Sequence, residues 1–284
     1  IESPECQTFG QSYTRFRSEY AVTNPRIPGM IVGYRNTERF GTKIAATTFH
    51  RRSEDVLDLP EITHTQIDVE LSPKESKLYR EIEHEFCAVM DGGEVTPANV
   101  LVQLLRLLEV CGGNVHLDGN RDATPITDHP SKASAFKEIA EDLPPDEPIV
   151  VFAKYRADID SVLRECEKLG RKASELSGRK NELEDWQAGR TSVLVANTAS
   201  GGIGIDLTRA SHAFFYSLGH SLSEYLQAIA RLHRPGQTKH THFYNLVATI
   251  NGNITVDGQV YKALEGRQEV INAIIAGYRR TDSL

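Results

Sequence analysis

Gln227, Arg231 and Arg234 recur at i, i+4 and i+7, a spacing that sets one amide and two guanidiniums on a single helix face. Guanidiniums stay charged at any pH a protein meets, and their forked N–H donors match phosphate oxygens. Upstream, the run Thr198-Ala-Ser-Gly-Gly-Ile-Gly204 forms a loop of small residues, where backbone amides can approach a phosphate closely. Together these groups suit a polyphosphate. Taken alone, the helix reads as a solvated charged face; the glycine loop beside it favours phosphate chemistry.

The elements that must hold these residues are also legible. Tyr225, Ile229 and Leu232 form an apolar stripe opposite the arginines. Ser221-Leu-Ser-Glu224 has capping-box spacing and predicts a helix start near Leu222. Pro235 and Gly236 end that helix, which places Arg234 at its very end, able to reach across a cleft. Apolar runs at 193–196 and 213–216 read as buried parallel strands on either side of the loop.

From Ser131 onward the pattern alternates. Helices are predicted at 133–141, 156–169 and 183–187, and strands at 149–153, 173–176 and 242–248; a C-terminal helix over 256–276 closes the chain. This alternation predicts an α/β fold, a parallel sheet with helices on both faces that binds ligands at the carboxyl ends of its strands. The glycine loop falls at such an end. Before it lie a strand at 62–71 and two helices. The first opens at the capping box Ser72-Pro-Lys-Glu75 and buries Leu78, Ile82, Phe86 and Val89. The second opens at Thr96-Pro97, carries Leu101, Leu104, Leu105 and Leu108, and stops at Gly112-Gly113. Trp186 is read as core.

Length of 284 residues suits one to two domains, and 39% hydrophobic with 25% charged residues is ordinary for a globular protein. Cys6, Cys87, Cys111 and Cys166 are scattered without a CxxC pair, which argues against zinc or a disulfide framework and fits a reducing cytosol. No run approaches membrane-spanning length. The net charge of −7 is uneven: residues 1–52 are net +4, 53–132 net −10 and 133–284 net −1. The acidic middle thus leaves room for a local basic track. His233, His240 and His242 lack the converging partners that a metal needs, and no metal site is assigned.

The stretches Thr198-Ala-Ser-Gly-Gly-Ile-Gly-Ile-Asp-Leu-Thr208 and Gln227-Ala-Ile-Ala-Arg-Leu-His-Arg-Pro-Gly-Gln237 resemble motifs V and VI of superfamily-two helicases. The likeness is to the Swi/Snf-like branch, bacterial or phage-type members in particular, and covers about residues 9–276. Asp206 departs from the Asn usual in that branch, though other superfamily-two helicases carry Asp there. The resemblance implies a second RecA-like motor lobe at 133–284, a mainly helical connection at 53–132, and the tail end of a first lobe at 1–52. It implies ATP contacts from Gly204, Asp206, Gln227, Arg231 and Arg234, with Arg231 and Arg234 as catalytic arginine fingers. It places Lys154, Ser177, Gly178, Thr198, Ser200 and Gly201 on the DNA backbone, and Arg51 and Arg52 near the nucleotide or between lobes.

No G-x-x-x-x-G-K-[ST] loop is present, and Asp146-Glu147 precedes a strand, where the family's acidic pair follows one. ATP and Mg²⁺ are therefore expected to be held mainly by an N-terminal RecA-like lobe of the same protein, and this stretch alone to be inactive. The expected whole is a cytoplasmic, DNA-stimulated helicase or translocase acting on duplex DNA. A non-catalytic nucleic-acid or protein-binding module is the alternative. A dinucleotide-type α/β enzyme fails for want of a G-x-G-x-x-G opening a βαβ unit.

Overall fold

The computed structural model describes residues 8–23, 25, 31–48, 58–91, 97–116, 123–198, 204–219 and 221–264. They belong to two compact units, an N-terminal one and a larger one spanning residues 58–264. The N-terminal unit contains α1 (Tyr13–Tyr20), β1 (Ala21–Thr23), β2 (Ile31–Tyr34) and α2 (Thr37–Ala45). The Ser12 hydroxyl caps α1 by accepting from Arg15 N–H at 3.3 Å. Phe9, Phe16, Tyr20 and Phe40 pack together with centroids 5.2–6.2 Å apart. Edge and tilted ring contacts of that kind stabilise a small aromatic cluster.

The larger unit opens with β3 (Ile62–Glu70), α3 (Pro73–Asp91), α4 (Pro97–Cys111) and a short hairpin, β4 (Asn114–Val115) with β5 (Thr124–Pro125). Then follow α5 (Ser131–Asp142), β6 (Ile149–Ala153), α6 (Arg156–Lys168), β7 (Ala173–Leu176), α7 (Leu183–Gln187) and β8 (Val193–Asn197). After them come β9 (His212–Phe215), α8 (Leu222–Leu232), β10 (Thr241–Ile250), β11 (Asn253–Ile254) and a helix over 256–264. The rest of the predicted C-terminal helix lies outside the described residues.

The sheet has seven strands, running β10-β9-β6-β8-β7, with β3 parallel to β10 and β11 antiparallel to its end. All other pairings are parallel. The strand at 62–71 therefore belongs to the main sheet: Ile62 pairs Thr241 and Glu70 pairs Thr249. Alternation divides the central strands between two cores. Val150, Phe152, Leu194, Ala196, Ala213 and Phe215 face α8, α4 and Trp186. Ile149, Val151, Val193, Val195, Phe214 and Tyr216 face α5 and α6. Burial on both sides is why these strands read as continuous apolar runs.

Two polar side chains join elements across this core. Glu75 is fully buried. It completes the capping box by accepting from Ser72 N–H at 2.9 Å, and it also accepts from Ser131 N–H at 3.1 Å, so one carboxylate caps α3 and binds the start of α5. Arg171 donates to the carbonyls of Ala140, Leu143, Pro144 and Pro145 at 2.7–2.9 Å, closing the end of α5 and the proline turn that enters β6. Among the described residues no helix is long and apolar enough to cross a membrane.

Candidate functional site

At β6 the strand order turns: β8 and β7 lie on one side, β9 and β10 on the other. The chain leaves β6, β8 and β9 at this crevice, where parallel sheets bind ligands. Helix α8 follows β9 and starts as the sequence predicts, with Ser221 Oγ accepting from Glu224 N–H at 3.3 Å. Tyr225, Ala228 and Leu232 are buried, Ile229 packs against them, and Gln227 is exposed. Gln227 Nε2 donates to Ser223 Oγ at 3.2 Å. Arg231 is partly buried, and that desolvation lowers its pKa from the ordinary guanidinium value.

Arg234 differs from the sequence expectation in one respect. The helix stops at Leu232, so Arg234 lies in the following turn and not on the last helical residue. Steric pressure from Pro235 disfavours helical geometry at Arg234. The turn is closed by Gln237 N–H to the Arg234 carbonyl at 3.0 Å, with Gly236 at φ +105°. A left-handed φ of that kind favours glycine.

The segment after the glycine loop docks on this turn. Gly204 also has φ +105°, a left-handed conformation that favours glycine, and among the described residues no atom lies within 4 Å of where a Cβ would sit. Asp206 Oδ1 accepts from Thr208 N–H at 2.9 Å and Thr208 Oγ1 at 2.8 Å. The Thr208 backbone N–H, helped by its hydroxyl and by the charge of Arg234, pulls the Asp206 carboxyl below the usual carboxylate range. Leu207 N–H donates to the Arg231 carbonyl at 3.0 Å, and Gln187 Nε2 to the Asp206 carbonyl at 3.1 Å.

Gln237 completes the docking. It is 6% exposed. Its Nε2 points at the carbonyls of Ala210 at 2.8 Å, Thr208 at 3.2 Å and Leu232 at 3.3 Å. Its Oε1 accepts from Thr238 and Lys239 N–H, each at 3.0 Å. The sequence marked Gln237 as part of a motif but assigned it no role. A buried amide with every polar atom used is a tertiary property, and a capping or periodicity rule does not reveal it.

A second group lies at the strand ends. Lys154 follows β6, and its N–H donates to Ser217 Oγ at 2.8 Å. Its carbonyl accepts from Asn197 Nδ2 at 2.9 Å, so the ends of β6, β8 and β9 are tied together. Its ammonium pairs with Glu224 at 2.8 Å. Thr198 is 4% exposed, and among the described residues its Oγ1 has no hydrogen-bond partner. Ser177 and Gly178 stand apart at the end of β7, in a turn where Ser177 N–H reaches the Lys180 carbonyl at 2.8 Å. Ser200, Gly201, Arg51 and Arg52 lie outside the described residues.

Beneath the strand ends is a polar network that the sequence did not disclose. Asp158 is fully buried, accepts from Asn114 Nδ2 at 3.0 Å, and is pushed up to about 7 by burial. Buried Lys132 pairs with Asp257 at 2.6 Å and donates to the Tyr216 carbonyl at 2.8 Å. Both partners are satisfied, as buried charges require. His240, His242 and His212 stack face to face, with neighbouring centroids 4.3 and 5.2 Å apart, and do not converge on a common point.

Residues 131–236 match the family model of the helicase conserved C-terminal domain. Protein p41 of Acyrthosiphon pisum secondary endosymbiont phage 1 is 26% identical over 200 residues, covering 70% of this chain and 42% of that protein. An uncharacterized ATP-dependent helicase of Mycoplasma genitalium is 24% identical over 251 residues, covering 84% of this chain and 23% of its own length. The chain therefore spans less than half of either relative. Among solved structures, the Sulfolobus solfataricus SWI2/SNF2 ATPase core in complex with dsDNA aligns with TM-score 0.54 and 20% identity, covering 86% of this chain and 52% of that one. The C-terminal part of the Fun30 ATPase domain aligns with TM-score 0.59 and 14% identity, covering 72% and 89%. These structural likenesses are of fold.

Proposed function

We propose that this chain, whose residues 131–236 match the helicase conserved C-terminal domain, is the C-terminal lobe of a Swi/Snf-like superfamily-two helicase, and that it supplies the arginine fingers and half of the DNA track of an ATP-driven motor. Arg231 and Arg234 reach the phosphates of an ATP held mainly by a first RecA-like lobe. Gly204, Asp206 and Gln227 line the same edge. Two guanidiniums on one edge fit the oxygens of a triphosphate. Among the described residues no three His, Cys, Asp or Glu side chains are grouped to hold a metal. Carboxylates for Mg²⁺ are assigned to that first lobe, and residues 1–52 to its tail end.

The observation that carries this reading is the 3.0 Å bond from Leu207 N–H to the Arg231 carbonyl. It ties the Asp206 loop to the end of the arginine helix, the kind of positioning that phosphoryl transfer depends on. Lys154, Ser177, Gly178, Thr198, Ser200 and Gly201 are assigned to the phosphates of duplex DNA, contacts that position without reading sequence. A phosphate oxygen would satisfy the Thr198 hydroxyl, which has no partner among the described residues. Opening and closing of the two lobes during hydrolysis would then step the motor along the duplex.

The test is DNA-stimulated phosphate release by the complete protein. Loss of that stimulation is expected on Arg234→Ala. Full stimulation in the variant would overturn the assignment.

A further inference from the structure

Glu224 occupies an unusual position for a capping-box residue. Its backbone N–H is bound by Ser221 Oγ, yet its carboxylate turns across the crevice to the ammonium of Lys154, 2.8 Å away. Both side chains are about one-third exposed, 29% for Lys154 and 31% for Glu224, so the pair sits at the crevice mouth where solvent and ligands reach it. The lysine stem passes over Gly219, where a Cβ would come within 3.2 Å of Lys154 Cε, and the Lys154 backbone is fixed by Ser217 and Asn197. The ammonium is thus presented at a defined point, and a carboxylate already fills it.

We propose that Glu224 is an internal stand-in for a nucleic-acid phosphate: it neutralises Lys154 in the free lobe and is displaced when a backbone phosphate takes its place. This rests on the assignment of Lys154 to the DNA track. The exchange conserves charge, one anion replacing another at the same ammonium. Glu224 lies in the first turn of α8, the helix that carries Gln227 and Arg231, so the exchange takes place at the start of the arginine helix. A surface-accessible ion pair of this type is weak enough to exchange. The pair also sets a threshold, because a phosphate must outcompete a tethered carboxylate to engage Lys154.

The experiment is a titration of this chain with a labelled duplex DNA at two salt concentrations. Glu224→Gln removes the competing charge and keeps the shape and the backbone N–H that Ser221 caps. Binding should tighten roughly two- to fivefold at low salt, the factor that a pair of this exposure represents. Lys154→Met keeps the stem against Gly219 and loses the ammonium. It should weaken binding and lower the salt dependence by about one phosphate contact. The deciding arm is the double variant: with Met at 154, Glu224→Gln should change affinity little. Equal tightening in both backgrounds would show general charge repulsion and sink the proposal, as would no tightening at all in Glu224→Gln. Unchanged binding in Lys154→Met would instead remove Lys154 from the DNA track, and the reading beneath the proposal would fall with it. Melting temperatures of all three variants separate these outcomes from loss of fold.

Discussion

Gln237 Nε2 lies 2.8 Å from the Ala210 carbonyl, and through that amide the loop after Asp206 is fastened to the turn that holds Arg234. The same nitrogen faces the Thr208 and Leu232 carbonyls, so one buried side chain sets the distance between two parts of the site.

Gln237→Glu should therefore damage more than its small size change suggests. It removes the donor and leaves the inward carbonyls unpaired beside a buried acid. An unsatisfied buried acceptor costs about 1–3 kcal/mol. Chemical denaturation of the two chains at neutral pH checks this. Equal midpoints would mean that the amide does not hold the loop.

Arg234→Ala and Leu232→Ala should separate function from fold. Leu232 is fully buried, and its truncation should cost about 2–5 kcal/mol through the cavity left behind. Arg234 lies in the turn beyond the helix, and its replacement should move stability by about 0.5 kcal/mol or less. In the complete protein, the same replacement should lower DNA-stimulated turnover by roughly 10³-fold or more, the scale of an arginine finger. Lysine at 231 or 234 should rescue poorly, since it keeps the charge and loses the fork. An Arg234→Ala protein that unfolds like Leu232→Ala would contradict this picture.

Asp158 gives a pH signature. Its carboxyl is pushed by burial from an ordinary 3.8 to about 7, so the folded chain holds a proton that the unfolded chain releases between those values. The group's contribution is therefore full below about pH 4 and lost as pH rises through 7. Over that window the loss is about 4 kcal/mol at roughly 1.4 kcal/mol per pH unit. Asp158→Asn keeps an acceptor for Asn114 and has no proton to lose. Its advantage over the parent should grow from pH 4 to pH 8, measured as the difference in melting temperature. Parallel curves would rule out the buried-acid account.

The isolated chain should hydrolyse ATP poorly even with saturating duplex. Catalysis of phosphoryl transfer is positioning and charge stabilisation, and one edge of a site supplies little of either. Phosphate release measures it directly. Robust turnover abolished by Arg234→Ala would mean that a complete site resides within these residues.

The sequence by itself determined the elements and the chemistry they carry. Two-sided burial wrote β6, β8 and β9 as apolar runs, and 3.6-residue periodicity separated Tyr225 and Leu232 from Gln227 and Arg231. Both patterns are local consequences of backbone geometry, so they survive in the order of residues. Motif spacing then indicated a phosphate-directed site.

Tertiary structure decided what those elements touch. Alternation along 62–70 announces a strand, but its pairing with β10 depends on a neighbour far along the chain, and nothing local encodes a partner. The capping-box pattern is the same at Ser72-Glu75 and Ser221-Glu224, yet Glu75 closes its box and grips Ser131, while Glu224 turns to Lys154. The two carboxylates differ because of what the fold places beside them. Arg234 leaves the helix under the steric demand of Pro235, Gln237 acquires its carbonyls when the loop docks, and Asp158 acquires its raised pKa from burial, against the lowering hydrogen bond from Asn114. Desolvation and hydrogen-bond satisfaction are set by three-dimensional neighbours, and only the folded chain supplies those.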